Sequence, residues 1–161
     1  MPELKIESIK ISKIVEKFRN GSWAIPEFQR GYEWKKKKAK AARLIDSLYR
    51  GFPVSAILLW ETTEEVRARD KNSTQRRAVW VVDGQQRITT LWKVMEEESE
   101  IRVVFNLRGK DEKTGFDGQF QIESAATKKS QDWIYVNTIL GDSDDLRTVL
   151  DGEAAKPHRV R

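Results

Sequence analysis

Apolar positions recur at helical spacing soon after the chain begins. Ile11, Ile14, Val15 and Phe18 line one side of a helix over 11–18. Asn20-Gly21-Ser22 stops it. Trp23 to Arg30 then reads as extended, because the residue before Pro26 is biased toward β or polyproline geometry. Gly31 permits a turn, and Tyr32 and Trp34 follow on alternate positions. The clearest helical pattern spans 35–50. Ala41, Leu44, Ile45, Leu48 and Phe52 share a side, with lysines and arginines opposite. Gly51 is placed to cap this helix and Pro53 stands beyond its end.

Two continuously apolar runs, Ala56 to Trp60 and Ala78 to Val82, predict buried strands. Between them, residues 61–77 hold Val66 as the one aliphatic residue beyond alanine, which predicts a mobile loop or hairpin tip. The second run leads straight into Asp83-Gly84-Gln85-Gln86-Arg87, after which Ile88, Leu91, Trp92 and Met95 mark one face of a helix. Ile101 to Phe105 predicts a third strand. Gln119 to Glu123 and Trp133 to Val136 are weaker strand candidates. Ser143-Asp144-Asp145 can cap a last short helix ending near Leu150. Trp60, Trp80 and Trp92 lie inside apolar patterns and are expected in the core. Irregular interleaving of helices with short strands predicts an α+β fold with a small mixed sheet. One domain is expected over 1–140, with a short helix and basic tail over 141–161 that can be the start of a truncated helical region.

Composition narrows the chemistry. A chain of 161 residues suits one domain, and six Trp with six Phe argue against disorder. There is no cysteine and a single histidine, His158, in the basic tail. Thiolate catalysis, a zinc site and a histidine-metal nuclease centre are thereby excluded. A net charge of +5 fits a phosphate or nucleic-acid partner. No apolar run approaches the ~20 residues that span a bilayer, and no signal-peptide stretch opens the sequence. The cytoplasm is the expected location, with no membrane partner.

The segment Val81 to Arg87 has the form of a strand, a glycine and a helix start. In that geometry unpaired backbone N–H groups point outward and can hold an anion. Gly84 lets the backbone approach a ligand, and Arg87 can fork onto phosphate oxygens. Asp83 can hold a divalent cation or a ribose hydroxyl. Gln85 and Gln86 can orient a water or a base, and Thr89 and Thr90 add hydroxyls. The plainer alternative is a turn in which Arg87 pairs with Asp83 or another acid.

Three motifs resemble those of the DUF262 family. They are Ile25-Pro26-Glu27-Phe28-Gln29-Arg30-Gly31-Tyr32-Glu33-Trp34, then Leu44 to Pro53 with the strand to Trp60, and the signature loop Val82-Asp83-Gly84-Gln85-Gln86-Arg87-Ile88-Thr89-Thr90-Leu91. The resemblance covers the first two-thirds of the chain and fades after about residue 136. It implies a ParB/sulfiredoxin-like fold in which Gly84–Arg87 hold nucleotide phosphates and Gln29-Arg30 lie across the same cleft. Sulfiredoxins carry a cysteine in this loop; glutamine stands here, so sulfinic-acid reduction is ruled out. The family is similar to nucleotide-hydrolysing subunits of restriction and phage-defence systems acting on modified DNA. Its members usually continue into a helical region and often a nuclease domain, neither of which is visible here. A nuclease domain or subunit supplied elsewhere is therefore implied.

The expected activity is binding and hydrolysis of a nucleoside triphosphate with Mg²⁺. Arg87 and the Gly84–Gln86 amides would hold phosphates, Asp83 the metal ion and Gln86 the attacking water. The alternatives are a DNA-sensing module without hydrolysis, or a protein-interaction remnant. For DNA, Lys35, Lys36, Lys37 and Lys38 offer a phosphate-tracking stripe or simply a solvated face. Tyr32 can stack a base or close the core, whereas Trp34 is read as core. Asp46 is open to capping the Gln29-Arg30 segment or to plain exposure. An exposed apolar surface is expected, with a homo-oligomer as one way to cover it.

Overall fold

The computed structural model describes residues 4–62, 66–69, 79–108 and 119–140. Over these residues the fold is α+β, with helices packed on two small sheets. The helix α1 (Ile11–Arg19) leads to the short strand β1 (Trp23–Ala24), then α2 (Ala39–Tyr49), β2 (Leu58–Trp60) and β3 (Val79–Asp83). Next come α3 (Gln85–Met95), β4 (Val103–Asn106), β5 (Phe120–Ile122), α4 (Ala125–Lys129), β6 (Trp133–Tyr135) and α5 (Val136–Ile139). The first sheet has the order β1-β3-β2, with β1 parallel and β2 antiparallel to β3. The second, β5-β4-β6, is wholly antiparallel. The first is the small mixed sheet that was expected; the second was not foreseen. The split follows from β4, which takes its partners from strands C-terminal to it, not from β3.

Helix α3 is the spine that both sheets share. Its Ile88 packs with Ile14 of α1 and with Trp23 and Val81 of the first sheet, while Leu91 and Val94 join Ala41, Leu44, Ile45, Val103 and Phe105 in the larger cluster. Tyr49, Phe105 and Phe120 tile that cluster with ring centroids 5.0–5.9 Å apart, an arrangement that favours tilted and edge-on aromatic pairs. On the far side of the second sheet, Glu123 accepts a hydrogen bond from Tyr135 and lies 3.1 Å from Lys128 and 3.8 Å from Arg102.

Several sequence expectations shift. Helix α2 begins at Ala39, leaving Lys35–Lys38 in the turns before it. A run of like charges sits badly at the positive end of a helix dipole, so the helix starts after it. The C-terminus behaves as read: Gly51 at φ +68° donates to the Leu48 carbonyl, and Phe52 N–H donates to the Ser47 carbonyl. That pair of bonds ends a helix by a left-handed residue. The Phe52 side chain itself is 57% exposed, outside the stripe assigned to it. Strand β2 is not buried either. Its Leu58 and Trp60 are 48% and 39% exposed, because only the alternate positions Ile57 and Leu59 face the α1–α3 layer. Trp80 is core as expected, and Trp92 is half-buried against the main cluster.

Of the polar stretch after β2, Val66–Arg69 does not protrude. It folds back on the Ile25–Glu27 segment, with Glu27 N–H donating to the Arg67 carbonyl and Arg69 N–H to the Ile25 carbonyl. Residues 63–65 and 70–77 of that stretch, the proposed cap at Ser143, and His158 lie outside the described residues. Helices α4 and α5 were not expected. The first is set by a reciprocal capping box, Ser124 with Thr127, which stabilises a helix start without needing an apolar stripe. No helix of the described residues is long and apolar enough to cross a membrane.

Candidate functional site

The corner between β3 and α3 turns on one glycine. Gly84 sits at φ +90°, ψ 6° and serves as the N-cap of α3, a left-handed conformation that disfavours any side chain. A Cβ there would also stand 3.0 Å from Ile57 Cγ1 and 3.3 Å from an Arg87 guanidinium nitrogen. No side chain caps the helix, and its first intrahelical bond runs from Ile88 N–H to the Gly84 carbonyl. The N–H groups of Gln85, Gln86 and Arg87 thus have no acceptor within α3. Asp83, at the end of β3, is 69% exposed on its side chain and lies 3.2 Å from Arg87.

Arg87 also faces inward. Its guanidinium donates to the carbonyl of Val54 at 2.6 Å and to that of Ser55. Ser55 stands at φ +63° without being glycine, and this clamp pins it where β2 is approached. Of the two alternatives read from the sequence, the pairing of Arg87 with Asp83 is the one observed, and it places the guanidinium beside the open helix start.

The segment Gln29–Trp34 lies against this corner. Gln29 Nε2 donates to the Val82 carbonyl at 2.7 Å. Gln86, 8% exposed, bonds main-chain groups of Gly31 and Glu33 at both ends of its amide. Tyr32 and Thr90 share a 2.8 Å hydrogen bond. Thr90 Oγ1 in turn donates to the Gln86 carbonyl at 2.7 Å, so the tyrosine is the donor of the pair. Burial pushes the Tyr32 phenol above its ordinary 10.0, and the nearby Glu100 charge adds to the rise. Arg30 remains outward, 66% exposed and 3.6 Å from Glu33.

The structure thus gathers Gln29, Asp83, Gly84, Gln86 and Arg87 at one corner, with Arg30 in the segment laid against it and its side chain turned to solvent. It turns Gln85, Thr89 and Thr90 inward as buried residues, the last tied to Tyr32. Trp34 packs against the main cluster with Lys40 5.5 Å over its ring. Asp46 does not reach the Gln29 segment; both its oxygens take the Arg50 Nε–H at 3.0 Å. The four lysines divide. Lys35 lies 3.2 Å from the Glu100 carboxylate, and Lys38 donates to the Glu100 carbonyl at 2.7 Å. Lys36 and Lys37 are exposed, with no side-chain partner among the described residues. Burial by itself raises the Glu100 carboxyl, but hydrogen bonds and charge from Lys35 and Lys93 hold it below its ordinary 4.5.

Sequence reasoning missed Glu33 and the Val54–Ser55 carbonyls. Glu33 was within reach, as an acid three positions after Arg30 in a segment already singled out. The carbonyls carried no signal, since every residue has one. The expected apolar surface is present in part, with Leu58, Trp60 and Val82 exposed on the outer face of the first sheet.

Compared with known families, residues 11–155 match the one described as GmrSD restriction endonuclease, N-terminal domain. That span runs on beyond residue 136, where the motif resemblance fades. No curated protein and no solved structure matches the chain.

Proposed function

The chain belongs to the family of GmrSD restriction endonuclease N-terminal domains, and on that premise we propose that its β3–α3 corner binds the phosphates of a nucleoside triphosphate and hydrolyses it in the service of DNA restriction. The observation that carries this reading is the left-handed Gly84, which opens α3 with three N–H groups lacking an acceptor in the helix, beside the exposed Asp83 carboxylate and the Arg87 guanidinium. Backbone donors at a helix start favour an anion, and the outward Arg30 can close over it from the facing segment. Asp83 fits Mg²⁺ as a protein ligand. That ion commonly takes one or two carboxylates with phosphate oxygens and water, and no cluster of three His, Cys, Asp or Glu among the described residues offers an all-protein cage. Mg²⁺, when bound, neutralises phosphate charge. Any cutting of DNA would fall to a nuclease domain or subunit supplied elsewhere.

A second reading, DNA sensing without hydrolysis, is favoured by the exposed Lys36 and Lys37 beside Lys40 and Arg43 of α2. Titration with each common nucleoside triphosphate and magnesium, followed by phosphate release, separates the two. Arg30→Ala should weaken nucleotide binding about tenfold to a hundredfold, the range of one charge-assisted phosphate contact. Asp83→Ala should lower release more than binding. If the intact protein binds no nucleotide at millimolar concentration with magnesium and DNA present, hydrolysis is overturned and DNA sensing takes its place.

A further inference from the structure

Gln86 sits at the second position of α3, where its side chain was expected to orient a water. Its amide is instead matched to one stretch of main chain. Oε1 accepts the Glu33 N–H at 2.9 Å, and Nε2 donates to the Gly31 carbonyl at 2.9 Å. A carbonyl and an N–H two residues apart face the same way along an extended chain, so a primary amide pairs with both as a neighbouring strand would. Gln29 and Tyr32 fasten the same segment to the same corner through the Val82 carbonyl and Thr90. The charged residues of the segment stay outward: Arg30 and Glu33 are 66% and 56% exposed.

We infer that Gln86 is a positioning residue. Its amide sets the register of residues 31–33 and so holds Arg30 at the mouth of the β3–α3 corner; it does not touch the ligand. The inference rests on the reading of that corner as a phosphate site. A direct role makes a different demand, because the amide would have to turn its second lone pair or second N–H toward a water or ligand, whereas Gln86 is 8% exposed and gives one acceptor and one donor to the segment.

Gln86→Met keeps the bulk and removes both bonds. Gln86→Glu keeps the acceptor but sets a carboxylate against the Gly31 carbonyl at neutral pH. Once protonated in acid, that carboxyl regains a donor and restores the pair. Two readouts are needed: amide hydrogen exchange at Glu33, and binding of magnesium ATP and magnesium GTP. Exchange protection at Glu33 should fall about tenfold in Gln86→Met. In Gln86→Glu it should fall at neutral pH and recover toward the parent's value in acid. Nucleotide binding should weaken about tenfold in Gln86→Met, and scarcely further when Arg30→Ala is already present, as expected when one residue acts through the other. An undiminished second loss in the Arg30→Ala background overturns the inference. So does weakened binding with Glu33 protection unchanged, which assigns Gln86 a direct contact. Should Gln86→Met fail to fold, the acid recovery of Gln86→Glu decides alone. If the parent binds neither nucleotide, the phosphate reading fails and the positioning role falls with it, while Glu33 exchange still reports whether the clasp forms.

Discussion

Two glycines with positive φ test how much of the signature corner is conformation and how much is contact. Gly51 stands at φ +68° with nothing within 4 Å of the place a Cβ would take, whereas Gly84 at φ +90° has Ile57 and Arg87 pressed against that place. Gly51→Ala should therefore lose only backbone strain, about 1–2 kcal/mol. Gly84→Ala should lose that and about 1–3 kcal/mol more from crowding. Urea midpoints of the two variants measure the difference, and equal shifts would remove the close approach from the account. The Gly84 turn was legible in the sequence because glycine after a β-branched strand has few other uses. The dual engagement of Arg87 was half legible. Its pairing with Asp83 follows from i, i+4 spacing on a helix turn, but its bonds to Val54 and Ser55 depend on where a distant loop returns.

Among the elements, those with an apolar stripe were read closest to their true bounds, as α1 and α3 were. Those set by polar contacts were not. Helix α4 owes its start to Ser124 and Thr127, and α2 starts late because Lys35–Lys38 resist a helix N-terminus. Strand β2 looked buried because its apolar run is unbroken, yet an edge strand needs cover on one face only. Polar contact also joins α4 to β5 and β6. Burial by itself raises the Glu123 carboxyl; the Tyr135 hydrogen bond, the Lys128 hydrogen bond and the charges of Lys128 and Arg102 outweigh it, so the group titrates below 4.5. A carboxyl depressed on folding contributes stability above its unfolded value and loses it as pH falls through the folded one. Glu123→Gln should thus be less stable than the parent at pH 7, with the gap closing as pH drops below about 4.5. Thermal melts of both proteins across that range provide the measurement, and a gap independent of pH would tie Glu123 to packing instead of charge.

The basic excess is not spread evenly over the lysine run. Lys35 and Lys38 fasten the approach to α2 onto Glu100 after α3, while Lys36 and Lys37 face solvent. If this face tracks a nucleic-acid backbone, Lys36→Gln with Lys37→Gln should flatten the salt dependence of DNA binding by about two units of log–log slope, near the 0.9 per phosphate contact known for duplex DNA. Lys35→Gln with Lys38→Gln should flatten it less and lower the melting temperature instead. Equal slopes in all three proteins would leave the lysines as solvation. The overall class was readable because helices and strands alternate irregularly, but the division into two sheets was not, since pairing partners are chosen in three dimensions. One more consequence follows from the way Gln29, Gln86 and Arg87 hold the corner together. All three donate to main-chain carbonyls, and Gln86 accepts a main-chain N–H as well. Such partners are present whatever residue occupies the facing position, so no substitution at Gly31, Glu33 or Val82 compensates for a change in the glutamines. Across relatives, the coupling of the two motifs should therefore be silent in paired substitutions, the glutamines staying fixed instead of covarying. Any correlated exchange should gather at Tyr32 and Thr90, where one side chain answers another.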